Sequence, residues 1–290
     1  MNNILVPYDF DPQTDQAFDQ AIHLAKHIGC GITLLYVHEQ QGFLASLFSQ
    51  EQKEEILERI SDQMDAVAAN MTIKSGVDIG VRIEMGRVYS VIADVANETD
   101  AAFIVMATRS HESSMNKSLL VGANTSRIIR SARCPVITIG GKNHYDGCRK
   151  IMLPVDHYSD VEQKVQWAVK LAGIYGAQVN VAAALCRDYK ERVREKIRTK
   201  ADAVHKMISK AGIGCSLDIF ETEAVEKEAA RSLLDYAKKT GDIDLIIIMT
   251  QRGPSIIEFF VDPQAQDIIR RSEIPVMSIV PHEASGKGKK

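Results

Sequence analysis

The sequence predicts an α/β protein of two tandem, doubly wound domains, each a mainly parallel five-stranded sheet flanked by helices. Three observations carry this reading. The chain has 290 residues, about two ordinary domains' worth. Its opening strand returns, Ile4-Leu5-Val6-Pro7-Tyr8-Asp9 reappearing as Ile151-Met152-Leu153-Pro154-Val155-Asp156. Within each copy, short apolar runs alternate with amphipathic helical stretches, the order expected of a sheet covered on both faces.

The repeat holds its register beyond the first strand. Ala21, Leu24, Ala25, Gly29 and Ile32 find Ala168, Leu171, Ala172, Gly176 and Val179, and the halves close alike in Cys134-Pro135-Val136 and Ile274-Pro275-Val276. A whole domain has been duplicated, giving domain 1 over 1–140, a linker over 141–150, domain 2 over 151–281 and a basic tail over 282–290.

Each element has a local reason. Asp11-Pro12 is a helix start, a capping carboxylate followed by a proline in the first turn, and Ser159-Asp160-Val161-Glu162 reads as a capping box for the equivalent helix. These helices should end near Gly29 and Gly176. Second strands are expected over 32–37 and 178–183, long charged helices over 51–71 and 189–211, and third strands over 78–84 and 216–221. The most apolar runs, 101–107 and 245–249, suit central strands buried on both faces.

Composition excludes several classes. A net charge of −3 gives no general attraction to nucleic acid or anionic membrane, and no apolar run approaches the ~20 residues of a bilayer span. No leader pattern precedes the first strand, and the five cysteines form no CxxC pair, so reduced thiols and a cytoplasmic protein are expected. His23 and His27 lie four apart without a third ligand and read as surface residues, so no metal site is expected. No nucleophile sits in a catalytic setting.

Several motifs in order resemble the universal stress protein family. They are Val6-Pro7-Tyr8-Asp9, a second strand from Leu34 to Val37, Gly86 ahead of the third helix, Val105-Met106-Ala107-Thr108-Arg109, and the closing Cys134-Pro135-Val136. The resemblance covers nearly the whole chain twice and implies an adenine nucleotide alpha hydrolase-like fold. It also implies a G-x2-G-x9-G-[S/T] loop in nucleotide-binding members, where glycines let the backbone approach phosphates at a helix N-terminus. Carried over, Asp9 is the adenine-side acid and Val37 the second-strand contact, with Pro7 and Met106 beside them. Ala107 and Ser110 replace the first two glycines, Gly122 keeps the third, and Ala123 replaces the hydroxyl residue. The stretch between Ser110 and Gly122 is two residues longer than the pattern. Arg109, Lys117, Asn124, Thr125 and Ser126 are placed to supply phosphate contacts. Gly122 also reads simply as a helix-start glycine.

In domain 2 the acid persists as Asp156, but Met249 stands at the first glycine position and Asp262-Pro263 at the third. A carboxylate there would itself neutralise the helix terminus and repel phosphate. The expectation is therefore a stress-response protein binding ATP with Mg²⁺ in domain 1 only. The alternatives are a slow ATPase and a ligand-free interaction scaffold. The closing strands, 136–139 and 276–279, are the edges expected to pair the two domains, and association into a homodimer or with an unknown protein partner is left open. The long helices differ in charge: Glu51, Glu54, Glu55, Glu58, Asp62 and Asp65 make the first acidic, whereas Lys190, Arg192, Arg194, Lys196, Arg198 and Lys200 make the second basic. They read as solvated faces or as an interface, and no aromatic pattern suggests nucleic acid. Phe43, Leu44, Leu47 and Phe48 form an apolar patch ahead of the acidic helix.

Overall fold

A computed structural model describes residues 3–39, 49–108, 123–141, 147–158, 161–250 and 263–280. Domain 1 runs β1 (Asn3–Pro7), α1 (Pro12–Ile28), β2 (Gly31–His38), α2 (Gln50–Ser75), β3 (Ile79–Met85), α3 (Val88–Glu98), β4 (Phe103–Ala107), α4 (Ala123–Ser131) and β5 (Val136–Ile139). Domain 2 repeats it as β6 (Lys150–Pro154), α5 (Glu162–Tyr175), β7 (Gln178–Cys186), α6 (Glu191–Lys210), β8 (Cys215–Thr222), α7 (Ala229–Thr240), β9 (Leu245–Met249), α8 (Pro263–Arg271) and β10 (Val276–Ile279).

The two five-stranded sheets are joined into one. Strand order is β3-β2-β1-β4-β5-β10-β9-β6-β7-β8, parallel within each half and antiparallel only where β5 meets β10. That seam pairs Val276 with Thr138 and Ser278 with Val136, and the Thr138 hydroxyl donates to the Val276 carbonyl at 3.2 Å. The closing strands are thus paired with each other, and neither is an open edge. The outer edges are β3 and β8.

Helices cover both faces. Met64 and Ala68 of α2 and Ile197, Ala201 and Val204 of α6 join α1 and α5 in one apolar layer. Ile92, Val95, Ile128, Leu233 and Ile268 from α3, α4, α7 and α8 form the other. The central strands β4 and β9 are buried along their whole length, which is why they read as continuous apolar runs.

Helix ends largely follow the local signals. Asp11 caps α1, its carboxylate accepting from the Gln13 amide at 2.8 Å, and Gly29 ends it at φ 71°. Ser49 and Gln52 form a reciprocal capping box on α2, which extends to Ser75. α5 starts at Glu162 behind Val161, which makes no side-chain cap bond; Ser159 and Asp160, which open its expected capping box, lie outside the described residues. The helix's lead-in is organised one turn earlier, where Asp156 Oδ1 accepts from the Tyr158 amide at 2.7 Å.

The domains also meet away from the seam. Trp167 of α5 packs edge-on against Phe103 of β4, with ring centroids 5.4 Å apart. His27, read from sequence as a plain surface residue, is exposed but tilts against Tyr175 of the other domain at 4.8 Å. Gly140 admits no side chain: a Cβ there would stand 2.3 Å from the Ser272 carbonyl oxygen. The five cysteines are free. Among the described residues no helix is long and apolar enough to cross a membrane, and no cluster of ligands could hold a metal ion.

Candidate functional site

In an open parallel sheet, ligands sit beyond the carboxyl ends of the strands where strand order reverses. In domain 1 that point lies between β1 and β4, because β2 and β3 extend to one side and β5 to the other. The register brings the candidate residues to this rim. Pro7 pairs with Leu35, so Asp9 lies level with Val37, and Leu5 pairs with Ile104, which puts Pro7 level with Met106.

Asp9 is exposed at the rim, and its orientation is set by the start of α1. Its Oδ1 accepts from the Thr14 hydroxyl at 3.0 Å and the Asp11 amide at 3.2 Å. Phe10 takes a left-handed backbone conformation, φ 64°, uncommon for a bulky residue, and packs on Tyr8 and Tyr36 with centroids 5.2 and 6.1 Å away. Tyr8 donates to Asp15 Oδ1 at 2.5 Å; burial, reinforced by that carboxylate, pushes its phenol well above the usual tyrosine range. The loop is therefore held from below by its own polar groups, with the Asp9 carboxylate left at the surface.

The remaining candidates divide. Val37 and Pro7 are half-buried, Met106 and Ala107 are buried in the two opposite apolar layers, Thr125 is buried in the first turn of α4, and Asn124 is half-buried beside it. Ala123 is the first residue of α4. Arg109, Ser110, Lys117 and Gly122 lie outside the described residues, as does the apolar patch of Phe43, Leu44, Leu47 and Phe48. Sequence reasoning passed over Thr108, whose buried hydroxyl and amide both bond to the Ile139 carbonyl, at 3.3 and 3.1 Å, fixing the end of β4 to β5. Thr250 repeats the arrangement on Ile279 in domain 2. Gly86 is required where it stands: its φ is 146° and a Cβ would lie 2.9 Å from Val91 Cγ2.

The same rim in domain 2 is built differently. Tyr158 donates from its phenol to Glu226 Oε1 at 2.8 Å, and His157 Nε2 lies 3.6 Å from the same oxygen. The Glu226 amide donates to Asp188 Oδ1 at 2.9 Å, and its carbonyl accepts from Gln264 at 3.2 Å. Loops after β6, β7 and β8 and the first turn of α8 are thereby tied to one residue. His157 lies tilted against Tyr158, ring centroids 3.7 Å apart, and meets Tyr189 edge-on at 5.5 Å. Its Nδ1 is buried with no hydrogen-bond partner among the described residues, and burial lowers its pKa against the opposing pull of Glu226 and Asp156.

Below this rim Lys164 is only 2% exposed and donates to the Pro154 carbonyl. Burial brings its pKa down to about 8; Asp156 nearby favours the charged form and Lys200 opposes it. The repeat offers the signal that would have found this residue. At the register that aligns Asp9 with Asp156, Lys164 stands where domain 1 has Ala17, a charge on the apolar stripe of the helix. Asp262 lies outside the described residues; Pro263 opens α8 as its first residue.

The fold is a tandem of two α/β domains sharing one sheet, one rim with its acid exposed and the other bridged by its own side chains. A family model for the universal stress protein family matches residues 1–140 and again 147–279. The chain belongs to that family, with two of its domains in tandem. A universal stress protein from Archaeoglobus fulgidus DSM 4304 has a similar structure, with TM-score 0.73 and 16% identity over 96% of this chain and 95% of that one. A functionally unknown protein from Pseudomonas aeruginosa PAO1 superposes with TM-score 0.63 at 15% identity, covering 97% of this chain and 93% of its own. A putative universal stress protein from Pseudomonas aeruginosa UCBPP-PA14 gives 0.62 at 14% identity, covering 97% and 94%. At these identities the likeness is one of fold. No curated protein matches the sequence.

Proposed function

We propose that this universal stress protein acts in a stress response by binding an ATP-type nucleotide with Mg²⁺ in domain 1, while domain 2 is a non-binding partner domain. The observation that carries the reading is the contrast between the two acids. Asp9 is exposed at the strand-order reversal and oriented by Thr14, with the buried Thr125 and half-buried Asn124 in the first turn of α4. Asp156 stands above a buried ammonium and beside a rim tied together through Glu226. A carboxylate at the rim suits the amino edge of a base, and a helix N-terminus suits phosphate oxygens, so the groups present in domain 1 fit such a ligand. The free thiols are in keeping with a cytoplasmic site of action.

Calorimetric titration with ATP–Mg²⁺ tests this. One site per chain, abolished by Gly122→Asp and weakened by Asp9→Ala but unchanged by Asp156→Ala, is the expected result. Absence of heat up to millimolar nucleotide, or loss of binding with Asp156→Ala alone, would replace the reading with a ligand-free scaffold or with a site in domain 2. Turnover lost in Asp9→Ala would add slow ATPase activity to the binding function.

A further inference from the structure

We infer that α2 and α6 are the two halves of a self-association surface, the acidic helix of one copy docking on the basic helix of a second copy of this chain. From sequence, their opposite charges admit a contact between domains or a solvated face. Contact within the chain is ruled out by the fold: α2 lies over β3 and α6 over β7 and β8, at opposite ends of the ten-stranded sheet.

The charges are arranged in lines. Glu51, Glu58, Asp62 and Asp65 on α2 are all exposed and, at about 100° per residue, fall within roughly 60° of arc. They point away from the stripe of Met64 and Ala68 that seats the helix. On α6, Arg192, Lys196, Lys206 and Lys210 are exposed and fall within roughly 80° of arc, opposite Ile197, Ala201, Val204 and Ile208. Each line is about 20–27 Å long at 1.5 Å per residue, so the two match in length as well as sign.

None of these eight side chains makes an ion pair among the described residues. Arg59, Arg194 and Arg198, outside the two lines, pair within the chain with Glu55, Glu191 and Glu221. Like charges three and four apart on a helix destabilise it, which applies to Glu58, Asp62 and Asp65 and to the pairs Arg192–Lys196 and Lys206–Lys210. An oppositely charged stripe removes that repulsion. Large apolar side chains are exposed on the same helices, Ile73 at 85% and Met207 at 41%, and give a docked pair apolar area to bury.

Both helices belong to the same covered face of the sheet. A twofold that sets each acidic line on the partner's basic line makes the contact twice, in one closed dimer. Any arrangement that opposed acid to acid would be disfavoured, so the charges select the register of the pair.

Sedimentation velocity of the full chain across a salt series is the test. A dimer at low ionic strength, weakened on the order of tenfold or more at high salt, is expected, because exposed pairs are screened. The reversals E58K/D62K on α2 and K196E/K206E on α6 should each abolish it, mixing the two variants should restore a complex, and placing all four reversals in one chain should restore the dimer. Because the combined variant carries every substitution, its dimerisation also shows that the changes leave the fold intact. A wild-type chain that stays monomeric at roughly 0.1 mM in low salt would overturn the inference. So would a dimer indifferent to the reversals.

Discussion

Tyr158 and Glu226, 68 positions apart in sequence, meet at 2.8 Å across the carboxyl end of the domain 2 sheet, phenol donating to carboxylate. Domain 1 shows no such tie across its rim among the described residues. The two halves share a backbone plan and differ in what spans its open end, and that difference can be measured.

Glu226→Ala should loosen the domain 2 rim without unfolding it. Tyr158 is 58% exposed, so the lost bond costs only about 1 kcal/mol of stability. Amide exchange should speed up locally, at Tyr158 and in the loop carrying Glu226, while exchange in β6 and β7 stays unchanged. Tyr158→Phe should reproduce part of this effect.

Lys164→Met should raise stability at neutral pH. A lysine whose folded pKa is about 8, against an ordinary 10.5, binds its proton less well when folded. Its penalty is full below pH 8 and is relieved as pH rises from about 8 to 10.5, so this lysine makes stability increase over that window. The methionine keeps the packing and removes the ammonium, for a gain of roughly 1–3 kcal/mol at pH 7, less the cost of leaving the Pro154 carbonyl without its donor. Denaturant midpoints of both proteins between pH 7 and 10.5 should converge as the pH rises.

Gly140→Ala should disturb the seam. Its new methyl would fall 2.3 Å from the Ser272 carbonyl oxygen, a backbone atom that cannot move aside without shifting the start of β10. A loss of about 1–3 kcal/mol is expected by analogy with overpacked cores, read as a fall in melting temperature. Gly173→Ala, where nothing lies within 4 Å of the added Cβ, serves as the control.

Trp167, the single tryptophan, reports on the contact between the two domains through its packing on Phe103. With ten strands in one sheet, the fluorescence transition and the far-ultraviolet dichroism transition should coincide in urea. Two separated transitions would mean that the halves unfold independently.

Much of the fold was legible because its signals are local. Asp11-Pro12 and Gly29 mark the ends of α1, the continuous apolar runs mark β4 and β9, and the matching final strands mark the domain contact. The site was legible only in outline. The alignment of Asp9 with Val37 follows from strand register, whereas Lys164 and Glu226 act through tertiary burial and through loops whose meeting no periodicity encodes. His27 is exposed, as its sequence setting implies, but its contact with a ring from the other half of the chain is tertiary and has no local signal.

The antiparallel pairing of β5 with β10 has a genetic consequence. Two separate copies of one domain meeting through that strand would have to carry every substitution twice, once on each side. Covalent linkage ends this obligation. Ala17 could remain small in one half while its counterpart became Lys164, and Phe10 could remain apolar while its counterpart became His157. The shared sheet preserves the scaffold of a symmetric pair, and the single chain lets each rim follow its own history.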